Sequence, residues 1–137
     1  MIIVEIISEP IESFQPQNNN SQNGAELVFN GRVRGVENGE PIKYLDYEQY
    51  EGMAETELRN LANKACSKFP INDLFCRHRV GKVKAGETSL HVVILSKHRK
   101  ESIEAMDWFI LELKKHVPIW KWAILKDGIR VPSECAH

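Results

Sequence analysis

A proline at position 118 fixes the end of the longest amphipathic stretch in the chain. Proline has no amide hydrogen to continue a helix, and its ring pushes the preceding residue toward extended backbone. The segment Lys114-Lys115-His116-Val117-Pro118-Ile119-Trp120-Lys121 therefore reads as a helix end, a break and the start of an extended segment. Lys114 falls in the last helical turn and Lys121 on the segment beyond the break. The two ammonium groups can then converge on one pocket from two elements.

Within the helix, Ile103, Met106, Ile110, Leu113 and Val117 recur at spacings of three and four, as a core-facing stripe does. At about 100° per residue, Lys114 lies roughly 60° from the centre of that stripe and Lys115 roughly 160°. Lys114 is expected at the border, partly desolvated, and Lys115 in water. Burial and a second cation both depress a lysine pKa, which makes an amine available for nucleophilic or base chemistry near neutrality. The helix dipole alone also favours lysines here. The pattern by itself does not separate the two readings.

A length of 137 residues fits one domain spanning 1–137 with a sizeable core. The net charge of -1 gives no reason to expect bulk nucleic-acid or membrane binding, and no apolar run is long enough to span a bilayer. Met1 to Ile7 alternates like a strand and lacks the basic flank of a signal peptide. Cys66, Cys76 and Cys135 are odd in number and irregularly spaced. That excludes a disulfide framework and a CxxC metal site, and it fits a reducing cytoplasm. Cys66 falls on an apolar helix face and Cys76 in a strand, so both are expected to be buried; Cys135 lies in the tail.

The pattern predicts strands at Met1 to Ser8, Ala25 to Arg34 and Ile42 to Tyr50. Between the first two, the polar run 15–24 has nothing to bury and is expected as a mobile loop. On the second strand Leu27 and Phe29 face one side and Val28 the other. On the third, Ile42, Tyr44, Asp46, Glu48 and Tyr50 alternate against Leu45 and Tyr47. Gly52 to Phe69 turns helical, with Met53, Leu58, Leu61, Ala62, Ala65, Cys66 and Phe69 on one face, and Pro70 stops it. Strands Asp73 to Val80 and Thr88 to Ser96 precede the helix Arg99 to His116. Ile119 to Leu125 and Ile129 to Val131 form a hairpin around Lys126-Asp127-Gly128. The result is an α+β domain, two main helices packed on a mostly antiparallel sheet plus a C-terminal β-hairpin.

Several cations stand where an anion would reconcile them. Arg32 and Arg34 are two apart on a strand and project to the same side. They are either a solvated strand end or an anion site. His98 and Arg99 open the second helix, where the dipole disfavours cations but free N–H groups welcome phosphate; exposed charge is the plainer alternative. His78 and Arg79 end a strand. His91 sits in an apolar strand and reads as a satisfied, half-buried histidine rather than a ligand. Trp108 falls away from the core stripe, and Trp120 and Trp122 straddle Lys121, so these aromatics suggest a partner surface. No His, Cys, Asp or Glu cluster has metal-ligand spacing, and no phosphate loop or nucleophile elbow is present.

Taken in order, Gly31-Arg32-Val33-Arg34, Leu45-Asp46-Tyr47-Glu48-Gln49-Tyr50-Glu51-Gly52-Met53-Ala54, His78-Arg79-Val80-Gly81, Gly86-Glu87, His98-Arg99 and Lys114…Pro118-Ile119-Trp120-Lys121 resemble one known family. It is the catalytic (large) subunit of molybdopterin synthase, and the resemblance runs from about Gly24 to Lys121. It implies an α/β-hammerhead fold and a homodimer core of a heterotetramer, with a small ubiquitin-like sulfur-carrier subunit at each end. It implies sulfur transfer from carrier C-terminal glycine thiocarboxylates to cyclic pyranopterin monophosphate, giving the molybdopterin dithiolene of the molybdenum cofactor. Arg32, Val33, Arg34, His98, Arg99, Lys114 and Lys121 match the substrate pocket. Lys114 matches the lysine at the thiocarboxylate terminus, and Lys121 a second essential lysine. No cofactor and no active-site cysteine are implied, because the sulfur arrives on the partner.

Two departures accompany the resemblance. Trp122 and Ala123 stand where relatives carry a basic residue and then a glutamate, which makes the expected pocket rim more apolar. The sequence stops at His137 where relatives continue, so an arginine they lend across the dimer lacks a clear counterpart. These features motivate an alternative, a diverged non-catalytic relative that binds the sulfur carrier or an anionic metabolite.

Overall fold

A computed structural model describes residues 1–15 and 21–133. Half of the expected loop over 15–24 (residues 16–20), and Cys135 in the tail, lie outside them. In chain order the elements are β1 (Ile2–Ile7), β2 (Ala25–Arg32), β3 (Val36–Glu37), β4 (Glu40–Gln49), α1 (Met53–Lys68), β5 (Ile71–Arg79), β6 (Gly81–Lys84), β7 (Thr88–Ser96), α2 (Arg99–His116), β8 (Ile119–Leu125) and β9 (Arg130–Pro132). Two sheets result, one ordered β1-β5-β7-β2 and the other β3-β4-β8-β9 with β6 also on β4. Only β1 beside β5 is parallel among the described pairs. The α+β expectation holds. The short strands β3 and β6 fall where no strand was expected and are additions to it.

The first sheet is covered on both faces, and its central strand shows why. In β7, Leu90, Val92 and Ile94 point to the helices and join the main core with Leu74 and Cys76 of β5. Val93 and Leu95 point the other way, with Phe75, and are covered by Ile3 and Phe14. A strand apolar on both sides needs both faces dry. On β2 the alternation is as expected, Leu27 and Phe29 half-buried and Val28 exposed.

Helix α1 buries Ala54, Leu58, Leu61, Ala62 and Ala65 and ends before Pro70. Met53, expected on that face, is 50% exposed at the first turn. Cys76 is buried and Cys66 half-buried, and burial raises both thiols above their ordinary range.

Helix α2 keeps its expected ends but is rotated about its axis. Its buried residues are Ser102, Ala105, Met106, Phe109 and Leu113, whereas Ile103 is 53% exposed. Hydropathy favoured Ile103, but the Ser102 hydroxyl pairs with the Ser96 hydroxyl at the end of β7, and that pull turns the next residue outward. Small residues at 102 and 105 bring the helix close to the sheet, and Phe109 supplies the bulk; full burial of such a ring is worth about 2–3 kcal/mol. Trp108 does not face away as expected. It is half-buried, edge-on to Phe69 of α1 (centroids 5.8 Å apart, planes at 61°).

The second sheet curls around a smaller core of Val33, Ile42, Leu45, Tyr47, Val83 and Ala123. Strict alternation put Ile42 opposite Leu45 and Tyr47. A register shift between Ile42 and Tyr44 returns Ile42 to their face, the re-aiming that a bulge performs.

Candidate functional site

The helix break behaves as the sequence requires. Val117 is extended at ψ 124 and its N–H still closes the last turn on the Leu113 carbonyl. Pro118 then accepts from the Tyr50 N–H at 3.0 Å, which docks the start of β8 beside the end of β4. In that pairing Lys121 sits opposite Tyr47 and Trp120 opposite Glu48. Alternation sends Lys121 inward and both neighbouring tryptophans outward.

Around Lys121 the structure builds a compact set of groups. The Lys121 ammonium lies over the Tyr47 ring, 5.9 Å from its centroid. His78 meets the same ring edge-on, centroids 5.4 Å apart and planes at 70°. His78 is 2% exposed, and its Nδ1–H donates to the Arg79 carbonyl at 2.9 Å. Burial first, and the Lys121 charge after it, push the imidazole down to about 4, so the ring is neutral. Tyr47 lies in a stretch that carries the family resemblance, but for the site it reads in the sequence only as one alternating aromatic of a strand.

The arginine segment reaches this same end of the molecule. Across the first sheet His78 pairs with Leu90, and Leu90 with Gly31, so one row of residues leads from His78 to Arg32. Strand β2 stops at Arg32 rather than Arg34, with a register shift after Gly31. Arg32 is exposed and donates to the Gly86 carbonyl at 3.1 Å. Val33 is buried in the second core; its N–H donates to Glu87 and its carbonyl accepts from Gly86. Arg34 is exposed beyond it. Arg79 braces the turn, Nη2 donating to the Lys82 carbonyl at 3.1 Å and Nη1 3.5 Å from the Glu87 carboxylate. The Lys84 N–H, and after it Arg79, holds that carboxylate below its usual range.

Lys114 stands at the C-terminal end of α2 and is exposed. The expected partial desolvation is therefore absent within one copy of the chain, because the rotation of α2 that buries Phe109 and Leu113 leaves position 114 outside. His98 and Arg99 are exposed at the other end of the helix. They border a surface hollow of about 680 Å³ with Gly24, Lys97, Lys100, Ile103 and Glu104. Fifteen residues of helix separate Arg99 from Lys114, about 22 Å along the axis. The β2–β7 register agrees, since Ala25 pairs with Ser96 at one end and Arg32 with Thr88 at the other. Within one copy, then, the expected site residues fall into two groups. One holds the 32–34 segment, Lys121 and Lys114; the other holds His98 and Arg99.

His91 is a satisfied histidine, as expected, and is fully buried. Its Nδ1 meets the Asn30 Oδ1 at 2.7 Å and its Nε2 accepts from the Phe14 N–H at 3.2 Å. Burial, then Arg77, lowers its pKa. Among the described residues no group of three or more His, Cys, Asp or Glu could hold a metal ion.

Comparison with known proteins bears on this arrangement. Residues 6–116 match the family model described as "MoaE protein". The molybdopterin synthase catalytic subunit of Pyrococcus abyssi is 39% identical over 108 residues, covering 79% of this chain and 73% of that protein. Its Staphylococcus aureus (strain COL) counterpart is 35% identical over 126 residues, covering 90% and 85%. Among solved structures, molybdopterin synthase from Staphylococcus aureus superposes with a TM-score of 0.80 at 32% identity, covering 90% of this chain and 91% of that one. A complex of subunits 1 and 2 of the molybdopterin-converting factor from Helicobacter pylori gives 0.73 at 25% identity, covering 96% and 90%.

Proposed function

The chain belongs to the MoaE family of molybdopterin synthase catalytic subunits, and from that premise we propose how its separated cations carry the reaction. It is a sulfur-transfer enzyme of molybdenum cofactor biosynthesis; the non-catalytic alternative is not favoured. A relative was solved as a complex of two subunits, and this chain acts with a small-subunit partner in the same way. That partner is the ubiquitin-like sulfur carrier, and the substrate is cyclic pyranopterin monophosphate.

One observation carries the division of labour: the two cation groups sit at opposite ends of α2, about 22 Å apart. A single small anion cannot touch both. A second copy of the chain, packed so that its His98–Arg99 end meets the Lys114 end of the first, completes the pocket. In that dimer, Arg34, His98 and Arg99 hold the phosphate through charge-assisted hydrogen bonds. Lys114 lies beside the carrier's thiocarboxylate and loses water there, which the free copy does not provide. Lys121 donates a proton to the phosphate-ester oxygen released as the ring opens, and Lys114 offsets charge that develops during sulfur attack. Arg32 and Val33 position Arg34 through their bonds to the 86–87 turn.

The working unit is one domain over residues 1–137, acting in the cytoplasm without nucleic acid or membrane; among the described residues no helix is long and apolar enough to cross one. Purified protein, thiocarboxylated carrier and cyclic pyranopterin monophosphate yield the dithiolene pterin. Lys114→Ala lowers that yield by about a hundredfold or more with the melting temperature unchanged, since the side chain is exposed. Normal turnover by the variant overturns the role given to Lys114.

A further inference from the structure

Lys121 ends a long, flexible side chain, and an amine that is to meet one oxygen of a substrate needs something to hold it. Its neighbour across the strand pair is Tyr47, whose ring lies beneath the ammonium. A ring face carries negative charge density and attracts a cation. That attraction orients Lys121 only if the ring itself is held. The ring is packed in the second core, and a group from the other sheet braces it as well: His78, at the end of β5, set edge-on against Tyr47.

We propose that His78 is a positioning residue for Lys121, acting through the Tyr47 ring. The inference rests on the reading of Lys121 as a catalytic amine. Three features of the geometry support it. The imidazole is fixed at both sides, by its bond to the Arg79 carbonyl and by burial. The two rings stand steeply to one another, planes at 70° and centroids 5.4 Å apart, a favourable arrangement for an aromatic pair. The ring is neutral, held down to about 4, so it adds no second positive charge beside the ammonium. A lysine or arginine at position 78 would compete for the same ring face; histidine supplies a stiff aromatic edge and a single donor.

The test separates the ring edge from the hydrogen bond. His78→Asn keeps a donor for the Arg79 carbonyl and removes the ring edge; Tyr47→Leu removes the ring from the other side. In protein with dimethylated lysines, the Lys121 methyl signal is shifted upfield by the Tyr47 ring, and both variants move it toward the free-lysine position. In the product assay, kcat falls about tenfold or more for each with KM within about twofold, and the double variant is no worse than the worse single one. An unchanged Lys121 signal and kcat in His78→Asn overturn the proposal, and so does full additivity in the double variant. Should His78→Asn fail to fold, His78→Gln takes its place, and an unchanged Lys121 signal and kcat there overturn the proposal equally. Absence of product from the wild-type protein overturns the sulfur-transfer reading instead, and leaves the methyl signals to judge the positioning of Lys121.

Discussion

The two ends of α2 carry cations in different states of preparation. At the C-terminal end, Lys121 is half-buried over Tyr47, with His78 behind that ring and Arg79 bracing the nearby turn. At the N-terminal end, Lys97, His98, Arg99 and Lys100 are all exposed around an open hollow. One end is built from within a single copy of the chain. The other displays charge for something that arrives. Charge density alone therefore does not mark where chemistry happens; what distinguishes the ends is the buried structure behind the charges.

The sharpest way to break this comparison is complementation. A Lys114→Ala copy and a His98→Ala/Arg99→Ala copy are each inactive if the pocket is shared between copies. Mixed and allowed to exchange, half of the dimers are hybrids with one intact site each, so activity returns to about a quarter of the wild-type level. A pocket formed within one copy gives no return, and the product assay reads the difference directly.

Acid separates the ends next. Unfolded, the imidazole of His78 titrates near 6.5; folded, it is held down to about 4. Between those values the unfolded chain takes up a proton that the folded one refuses, so stability falls as pH drops. The loss levels off below about 4 at on the order of 3 kcal/mol, and lowered His91 adds in the same direction. Denaturant melts at pH 7 and pH 4.5 measure it, and His78→Asn flattens the slope. No such slope in the wild-type protein would mean that His78 is not held neutral.

The smallest effect is expected at the exposed end. A Cβ on Gly24 would lie 2.5 Å from the backbone carbonyl oxygen of Lys97, so the backbone must shift. Gly24→Ala should cost about 1–2 kcal/mol in chemical denaturation and leave the Lys121 methyl signal in place. Movement of that signal would couple the ends more tightly than the comparison allows.

Much of this fold was legible because proline and glycine punctuate it. The C-terminal end of α2 follows from Pro118, and the span of β7 from an apolar run interrupted by His91. What misled was hydropathy read without partners. Ile103 outranks Ser102 on any apolar scale, yet a hydroxyl pair at Ser96 turns the helix the other way. Ile42 is buried through a bulge that no alternation rule announces. For the site, the lysines and arginines were named from the chain, but their division between the ends was not. That division depends on helix length and strand register. Tyr47 and His78 escaped for a related reason: their part is defined by what they touch.

The placement of Lys121 between Trp120 and Trp122 has an optical consequence. Strand geometry turns the lysine to the interior and the indoles to the opposite face, Trp120 44% exposed and Trp122 half-buried beneath the Arg130 guanidinium at 4.6 Å. Emission from Trp120 therefore tracks whatever settles on the outside of this strand, while events at the amine happen behind the backbone. A fluorimeter can time arrival on that surface separately from turnover, with no dye attached.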